Sequence, residues 1–302
     1  MKKREWSLVV GVVIALEMTI TSYLPAQVLS IYDIQYTTDA AGNSPQAGNT
    51  VNCSGGIVIH KFPGSNPKLT LYDPTYSTGW GGLITKDFTG TDAFAGINIG
   101  DWVSFDNILV EEYRGNTQLA FDTGASFTVE SIGNTLPDAL LVSPDDIAAP
   151  VEGPPSEWYV TDHSAEIYEG MYLKVEDVTV TAKDLGKAGD NYVLENILGD
   201  SCWGSDYMNF DAGGPYHPLI YAGSHLDCVS GILEQYTKLE SGWDYYQMLT
   251  TSNLDIVPEP ASMLLLLAGS SFLLRKRKTS QIDFMPGSDL SSTAIKLQRR
   301  GF

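Results

Sequence analysis

The groups in this sequence that could do chemistry are four histidines, three cysteines and a scatter of neighbouring carboxylates, and their spacing decides what is open to them. A metal-dependent nuclease or phosphoesterase needs carboxylates with His or Asn converging on an ion, and a general base beside it. His60, His163, His217 and His225 lie far apart, and none stands in an H-E-x-x-H or comparable ligand spacing. Asp162-His163 and Pro215-Tyr-His217 fall in loop-like sequence, where a solvated histidine is expected. Glu111-Glu112 and Asp145-Asp146 are adjacent pairs, so on a strand the two members turn to opposite faces and do not share a site. A G-x-S-x-G elbow and a phosphate-cradling G-x-x-x-x-G-K-[ST] loop are both missing. The sequence therefore predicts no catalytic residue and a protein that is not an enzyme.

Cys53, Cys202 and Cys228 form no C-x-x-C pair, which argues against a thiolate metal cage. In an oxidising compartment Cys202 and Cys228 are candidates for a disulfide, while Cys53, inside an apolar stretch, reads as a buried small hydrophobe. Asp39-Ala-Ala-Gly-Asn43 is half of a calcium loop, but it lacks the alternating acids and closing Glu of an EF-hand, so an Asx-type turn is the simpler expectation. No metal and no cofactor are expected, with Ca²⁺ the single ion to test. Aromatic side chains are the remaining opportunity: Tyr72, Tyr76, Trp80, Trp203, Tyr207, Tyr216, Trp243, Tyr245 and Tyr246 cluster in glycine-rich or strand-edge sequence. Trp80, Trp203 and Trp243 are the candidate ligand-binding residues, against the alternative that such rings fill the cores.

The elements that must position these groups read as all-β. Residues 31 to 256 are rich in Gly, Asp, Thr, Val and Tyr, with short alternating runs between turn residues. Strands are predicted over 51–59, 68–72, 102–110 and 118–121, and again over 171–181, 191–194, 226–233 and 245–249. A weak internal repeat aligns Asn107 to Leu119 with Gly231 to Met248. Five prolines between Leu136 and Glu157 mark a boundary. Five short strands per half suggest two small OB-like Greek-key barrels. The expected domains are a signal peptide (1–30), β domain 1 (31–136), a Pro-rich linker (137–157), β domain 2 (158–256), a sorting signal with a short transmembrane helix (257–278) and a polar tail (279–302).

Charge is distributed unevenly along this plan. The chain has 18 Lys and Arg against 37 Asp and Glu, a formal net charge of −19, and the basic side chains gather at the two ends. Nucleic-acid binders usually carry a basic stripe, so nucleic acid is expected to be an unlikely partner and sugar the more plausible one. At the front, Met1-Lys-Lys-Arg4 precedes an apolar run from Leu8 to Leu16, the pattern of a secretory signal too short to span a membrane. At the back, Val257-Pro-Glu-Pro260 is followed by a 14-residue apolar block, Ala261 to Leu274, and then Arg275-Lys-Arg-Lys278. A full span takes about 20 residues, and the basic cluster suits the cytoplasmic side.

This order of Pro258-Glu259-Pro260, brief apolar helix and basic cluster (Arg275, Lys276, Arg277, Lys278) resembles the PEP-CTERM sorting signal of Gram-negative bacteria, although 24 residues follow it here. The resemblance implies export through the Sec machinery, processing by an exosortase, and delivery to the cell surface or the exopolysaccharide matrix. The body, from Ile34-Gln-Tyr36 through Gly100-Asp-Trp-Val103 to Tyr168-Glu-Gly-Met-Tyr172, resembles OB-like modules of bacterial secreted proteins, some beside extracellular nuclease domains. The implied function is a non-enzymatic binding or structural role, polysaccharide-associated. The alternative is an accessory module of, or remnant from, an extracellular nuclease or other metal-dependent hydrolase.

Overall fold

A computed structural model describes residues 27–153, 157–186, 190–206, 217–252 and 255–259. Its first half contains β1 (Val28–Leu29), α1 (Ile31–Gln35), β2 (Thr50–Phe62), β3 (Lys68–Tyr72), β4 (Gly82–Asp87), β5 (Trp102–Tyr113), β6 (Asn116–Phe121) and β7 (Ser126–Ser131). The second half contains β8 (Leu140–Leu141), α2 (Pro144–Ile147), β9 (Val151–Gly153), β10 (Glu157–Tyr159), β11 (Tyr172–Leu185), β12 (Asn191–Glu195), β13 (Ser201–Ser205), β14 (His225–Lys238), β15 (Trp243–Leu249) and β16 (Ile256–Pro258).

Each half closes a five-strand circuit. In the first, β2, β3, β4, β6 and β5 pair in that order and β5 returns to β2, with β4–β6 the parallel step. In the second, β11, β12, β13, β15 and β14 do the same, with β13–β15 parallel. This circuit, closed by a single parallel pairing, is the OB arrangement. The segments that align as a repeat in the sequence, β5–β6 and β14–β15, occupy corresponding positions in the two circuits.

The strand patterns explain why the barrels fill. Along β5 the side chains of Val103, Phe105, Ile108 and Val110 are buried, the alternation shifting by one residue at Asp106-Asn107. There Asn107 takes φ +54, a left-handed conformation that Asn tolerates better than most residues. Phe94, from the connection between β4 and β5, packs against Phe105, Phe121 and Phe127 with ring centroids 5.2–6.5 Å apart and plugs the first barrel. The second barrel is filled by Leu173, Val175, Val178, Tyr192, Leu194, Cys202, Val229, Leu233, Tyr246 and Met248.

Several boundaries differ from the sequence expectation. Val28 and Leu29, assigned to the end of the signal, form β1 and pair in parallel with Asn52 and Cys53. The Pro-rich segment up to Gly153 is structured: Ser143 caps α2, Pro144 takes the first helical turn, where its missing N–H costs nothing, and Val142 and Ile147 enter the core of the second barrel. The strands β4 and β13 escape prediction, β4 because Gly79 to Gly82 reads as a break. Gly204 in β13 leaves room for the Tyr192 ring, which an added Cβ would meet at 2.3 Å. Residues 1–26 of the expected signal peptide, and Pro260 with the apolar block, Arg275 to Lys278 and the polar tail, lie outside the described residues. Among the described residues no helix is long and apolar enough to cross a membrane.

The barrels meet along a close seam. Gly82 at the start of β4 lies against Gly170, where a Cβ on Gly82 would meet the Gly170 carbonyl carbon at 2.2 Å. The 3₁₀ turn Ser164–Tyr168, which leads into β11, is held by the Trp80 N–H donating to Ile167 O at 2.6 Å. The β5–β6 hairpin turns through Arg114 (φ +62) and Gly115 (φ +80) and takes the Thr237 N–H on Arg114 O at 2.6 Å. Lys68 and Glu234 pair across the seam at 3.3 Å.

Candidate functional site

Trp203 and Trp243 come together on the second barrel. On β13 the Cys202 side chain points into the core, so Trp203, its neighbour, points outward. On β15 Tyr246 and Met248 face the core and Tyr245 faces out in the same way. The outward rings form one stripe: Trp158 to Trp203 at 5.0 Å between centroids, Trp203 to Tyr245 at 4.8 Å, Tyr245 to Tyr236 at 5.6 Å, and Tyr236 to Trp243 at 6.3 Å. Lys238 Nζ lies 5.9 Å from the Trp243 ring. Trp203 and Tyr245 are each 1% exposed and form the floor, while Trp158, Tyr236 and Trp243 are half-buried and form its open part.

Trp80 belongs to a different cluster, on the first barrel. A capping box at Ser30 and Asp33 starts α1, whose Ile31 and Ile34 are buried, and the i, i+4 spacing puts Tyr32 and Tyr36 side by side. Tyr32 stacks on Tyr36 (5.1 Å, 13°) and on Tyr76 (4.7 Å, 21°), and Trp80 meets Tyr36 edge-on at 5.6 Å. Trp80 has φ +61, a conformation that costs a bulky side chain about 1–2 kcal/mol and is held here by its bond to Ile167. The turn Pro74–Tyr76 also borders a groove of about 560 Å³, lined in part by Tyr72, Pro74, Ser77, Pro137 and Leu140.

Of the other aromatic residues singled out by sequence, Tyr72 and Tyr246 are buried, and Tyr207 and Tyr216 lie outside the described residues. The cysteines do not pair. Cys202 sits in the core on β13 and Cys228 on β14, strands that are not neighbours in the barrel, and Cys228 Sγ faces Ser230 Oγ at 3.7 Å. Burial pushes the Cys53 and Cys202 thiols up to about 12, so both are unreactive at neutral pH. Asp39 is used within its own turn, accepting from Asn43 Nδ2 at 2.6 Å and from the Ala41 N–H, and these bonds hold its carboxyl below its ordinary value. These bonds are those of the Asx-type turn expected from the sequence. Among the described residues no three His, Cys, Asp or Glu side chains are spaced to hold a metal ion. Val257, Pro258 and Glu259, the described part of the sorting motif, lie along or just beyond β16, and Glu259 approaches His225 at 3.1 Å.

A set of polar residues missed by sequence reasoning is buried in the seam. Glu166 Oε2 accepts from the Tyr246 hydroxyl at 2.8 Å, and His163 Nδ1 is 3.1 Å from the same hydroxyl. His163 Nε2 lies 3.6 Å from Asp244, which Gln235 and Thr237 also bond. Glu169 Oε1 accepts from the Thr117 N–H at 2.9 Å and from Gln35 Nε2 at 3.4 Å. Glu112 Oε1 accepts from the Ser44 N–H at 2.7 Å and from Thr117 Oγ1 at 2.6 Å. Burial pushes the Glu166 carboxyl up to about 8 against the lowering bond from Tyr246, with the charges of Glu112 and Asp244 adding to the rise. Burial first, then Glu166 and Glu112, hold Glu169 well above the usual carboxylate range, and burial also raises Glu112. His163, expected to be a solvated loop residue, is a partly buried member of this network.

No family model matches the chain, and no curated protein matches it. Among solved structures, the chain is similar to the OB domain of a Thermoplasma acidophilum protein, at 17% identity over 37% of this chain and 93% of that one, with a TM-score of 0.24. It is similar to Pot1 (protection of telomere) in complex with single-stranded DNA, at 21% identity over 34% of this chain and 62% of that one, TM-score 0.26. A murine DNA-binding protein bound to double-stranded DNA matches at 8% identity over 66% of this chain and 93% of that one, TM-score 0.31. Beside these DNA complexes, the expectation that nucleic acid is an unlikely partner does not stand and is withdrawn. Its physical basis was also too coarse: a formal charge summed over the body says little about a local face where bases stack on aromatic rings.

Proposed function

We propose that this is a non-enzymatic binding or structural protein, exported and delivered to the cell surface or extracellular matrix, and that it holds polysaccharide on the aromatic stripe of its second barrel. The observation that carries this reading is the run of five rings from Trp158 on β10 to Trp243, across the outer side of β13, β15 and β14, with three of them half-open. Flat aromatic faces take the apolar side of a sugar ring at low entropic cost, because the rings are already ordered by one another.

A second reading uses the same stripe. Single-stranded nucleic acid stacks on aromatic side chains irrespective of sequence, and Lys238 beside Trp243 offers a cation for a phosphate. Affinity electrophoresis of the full chain through gels containing neutral or acidic polysaccharides, with an oligothymidine titration in parallel, separates the two. Retardation by polysaccharide that is lost in Trp243→Ala is the result expected on the first reading. Oligonucleotide binding lost in the same variant supports the second reading, and no binding to either leaves the stripe a structural feature. Plasmid cleavage that requires Mg²⁺ or Ca²⁺ and stops on chelation would overturn the non-enzymatic assignment.

Delivery is tested by mass spectrometry of the mature protein recovered from the cell surface. Loss of the residues before about Gln27 and a new terminus close to Pro258-Glu-Pro260 are expected. An intact Phe302 on surface-located protein would contradict processing.

A further inference from the structure

We infer that the seam between the two barrels is a proton latch, in which the carboxyl groups of Glu112, Glu166 and Glu169 hold protons that close the seam and whose loss parts the barrels. The argument rests on hydrogen-bond accounting. Glu112 Oε2, Glu166 Oε1 and Glu169 Oε2 are buried without a hydrogen-bond partner, and so are Gln35 Oε1 and Asn116 Oδ1. Gln35, Asn116, Glu166 and Glu169 are each no more than 4% exposed. All five atoms are acceptors. An ionised carboxylate only accepts, whereas a carboxylic acid adds one donor. The seam is therefore short of donors, which carboxyl protons on Glu112, Glu166 and Glu169 would supply, and an unsatisfied buried acceptor costs about 1–3 kcal/mol.

The carboxyl groups come from both sides. Glu112 is on β5 of the first barrel, while Glu166 and Glu169 are on the turn that opens the second. The donors packed against them, the Tyr246 hydroxyl, the Thr117 and Ser44 N–H groups, Thr117 Oγ1 and Gln35 Nε2, all reach the other oxygen of each carboxyl, and among the described residues no lysine or arginine pairs with it. The segment after α1 brings Asp39, whose charge acts on Glu112; β15 brings Asp244 and Tyr246; and His163, from the turn itself, lies against Asp244 and Tyr246. The cations at the seam, Lys68 and Arg114, lie against Glu234 and Glu240. A metal does not take the place of the protons, since the carboxyl groups are not at ligating spacing. The pKa shifts of Glu166 and Glu169 run in the direction this geometry requires. On ionisation, like charges on the two faces would confront one another in a low-dielectric seam, and separation restores water to them.

The latch is tested by hydrogen exchange and small-angle scattering of the full chain between pH 6 and pH 9.5. The Thr117 and Thr237 amides, both bonded at the seam, report closure, normalised to intrinsic rates and to the amides of β3. Their protection is expected to fall at least tenfold at the alkaline end, with a larger radius of gyration, and to persist in a Glu166→Gln/Glu169→Gln variant, whose amides mimic the protonated acids. If that variant does not fold, Glu112→Gln alone should shift the transition to higher pH. Protection that is independent of pH, or lost equally in the variants, overturns the latch. So does closure at pH 9.5 by millimolar Ca²⁺ together with opening by a chelator at pH 6, which would assign the oxygens to a cation.

Discussion

Glu166→Gln is expected to flatten the pH dependence of the protein's stability, with the variant more stable than the parent by on the order of 4 kcal/mol at pH 8 relative to pH 4.5. Glu166 is 4% exposed and its carboxyl is raised from 4.5 to about 8. A group whose folded pKa is raised gives its full contribution below the unfolded value, and that contribution is lost as pH climbs toward the folded value. In this window the unfolded chain has released the proton and the folded chain still holds it, so each pH unit costs about 1.4 kcal/mol. Denaturant unfolding at pH 5, 6.5 and 8 measures the slope. A parent slope no steeper than that of the variant would show that Glu166 is ionised in the folded protein. The direction is opposite to that of salt-bridged carboxylates, which lose their contribution on acidification.

Trp203→Ala is expected to destabilise the protein by about 3–5 kcal/mol, and Trp243→Ala by much less. Trp203 is 1% exposed and wedged between Trp158 and Tyr245, at 5.0 and 4.8 Å, so its removal leaves a cavity that the strands cannot collapse to fill. For a chain of this size the loss corresponds to a melting temperature lower by about 10 °C. Thermal denaturation followed by circular dichroism gives the comparison. A Trp203→Ala protein as stable as its parent would mean that the floor of the stripe contributes nothing to the fold. The contrast also decides which tryptophan is useful in binding experiments: a loss of binding in the Trp203 variant would be confounded by unfolding, whereas Trp243 is half-buried at the open end.

How far the sequence reveals this molecule depends on whether the determinants are local. Alternation of apolar and polar residues made β3 visible at its observed bounds and placed most of β5, β11, β14 and β15, and along β5 and β11 the buried positions follow that two-residue period. The determinant of the turn at Arg114-Gly115 is equally local, since glycine supplies a left-handed position at little cost. By contrast β4 was hidden by a glycine run that serves packing, Gly82 against Gly170, and β13 went unseen although its Gly204 makes room for Tyr192. Which tryptophan is floor and which is rim depends on strand direction and on the cover given by β10, neither of which is local. The seam was the least legible part. Glu112, Glu166 and Glu169 are joined only by tertiary packing, and the one local trace is Ala165-Glu-Ile-Tyr-Glu-Gly-Met171, where two acids sit three apart in an otherwise mostly apolar run.

The position of β16 has a mechanical consequence. Its three residues are stitched to β14 at Leu226, Cys228 and Val229, and the same β14 reaches the seam at its far end through Glu234 and Thr237. Tension entering the protein beyond Glu259 would first meet this strand of three residues, whose buried Ile256 is its one foothold in the second core. Peeling that strand away breaks a few backbone bonds and leaves both barrel circuits closed, so β16 would act as a fuse between the folded body and whatever pulls on its end.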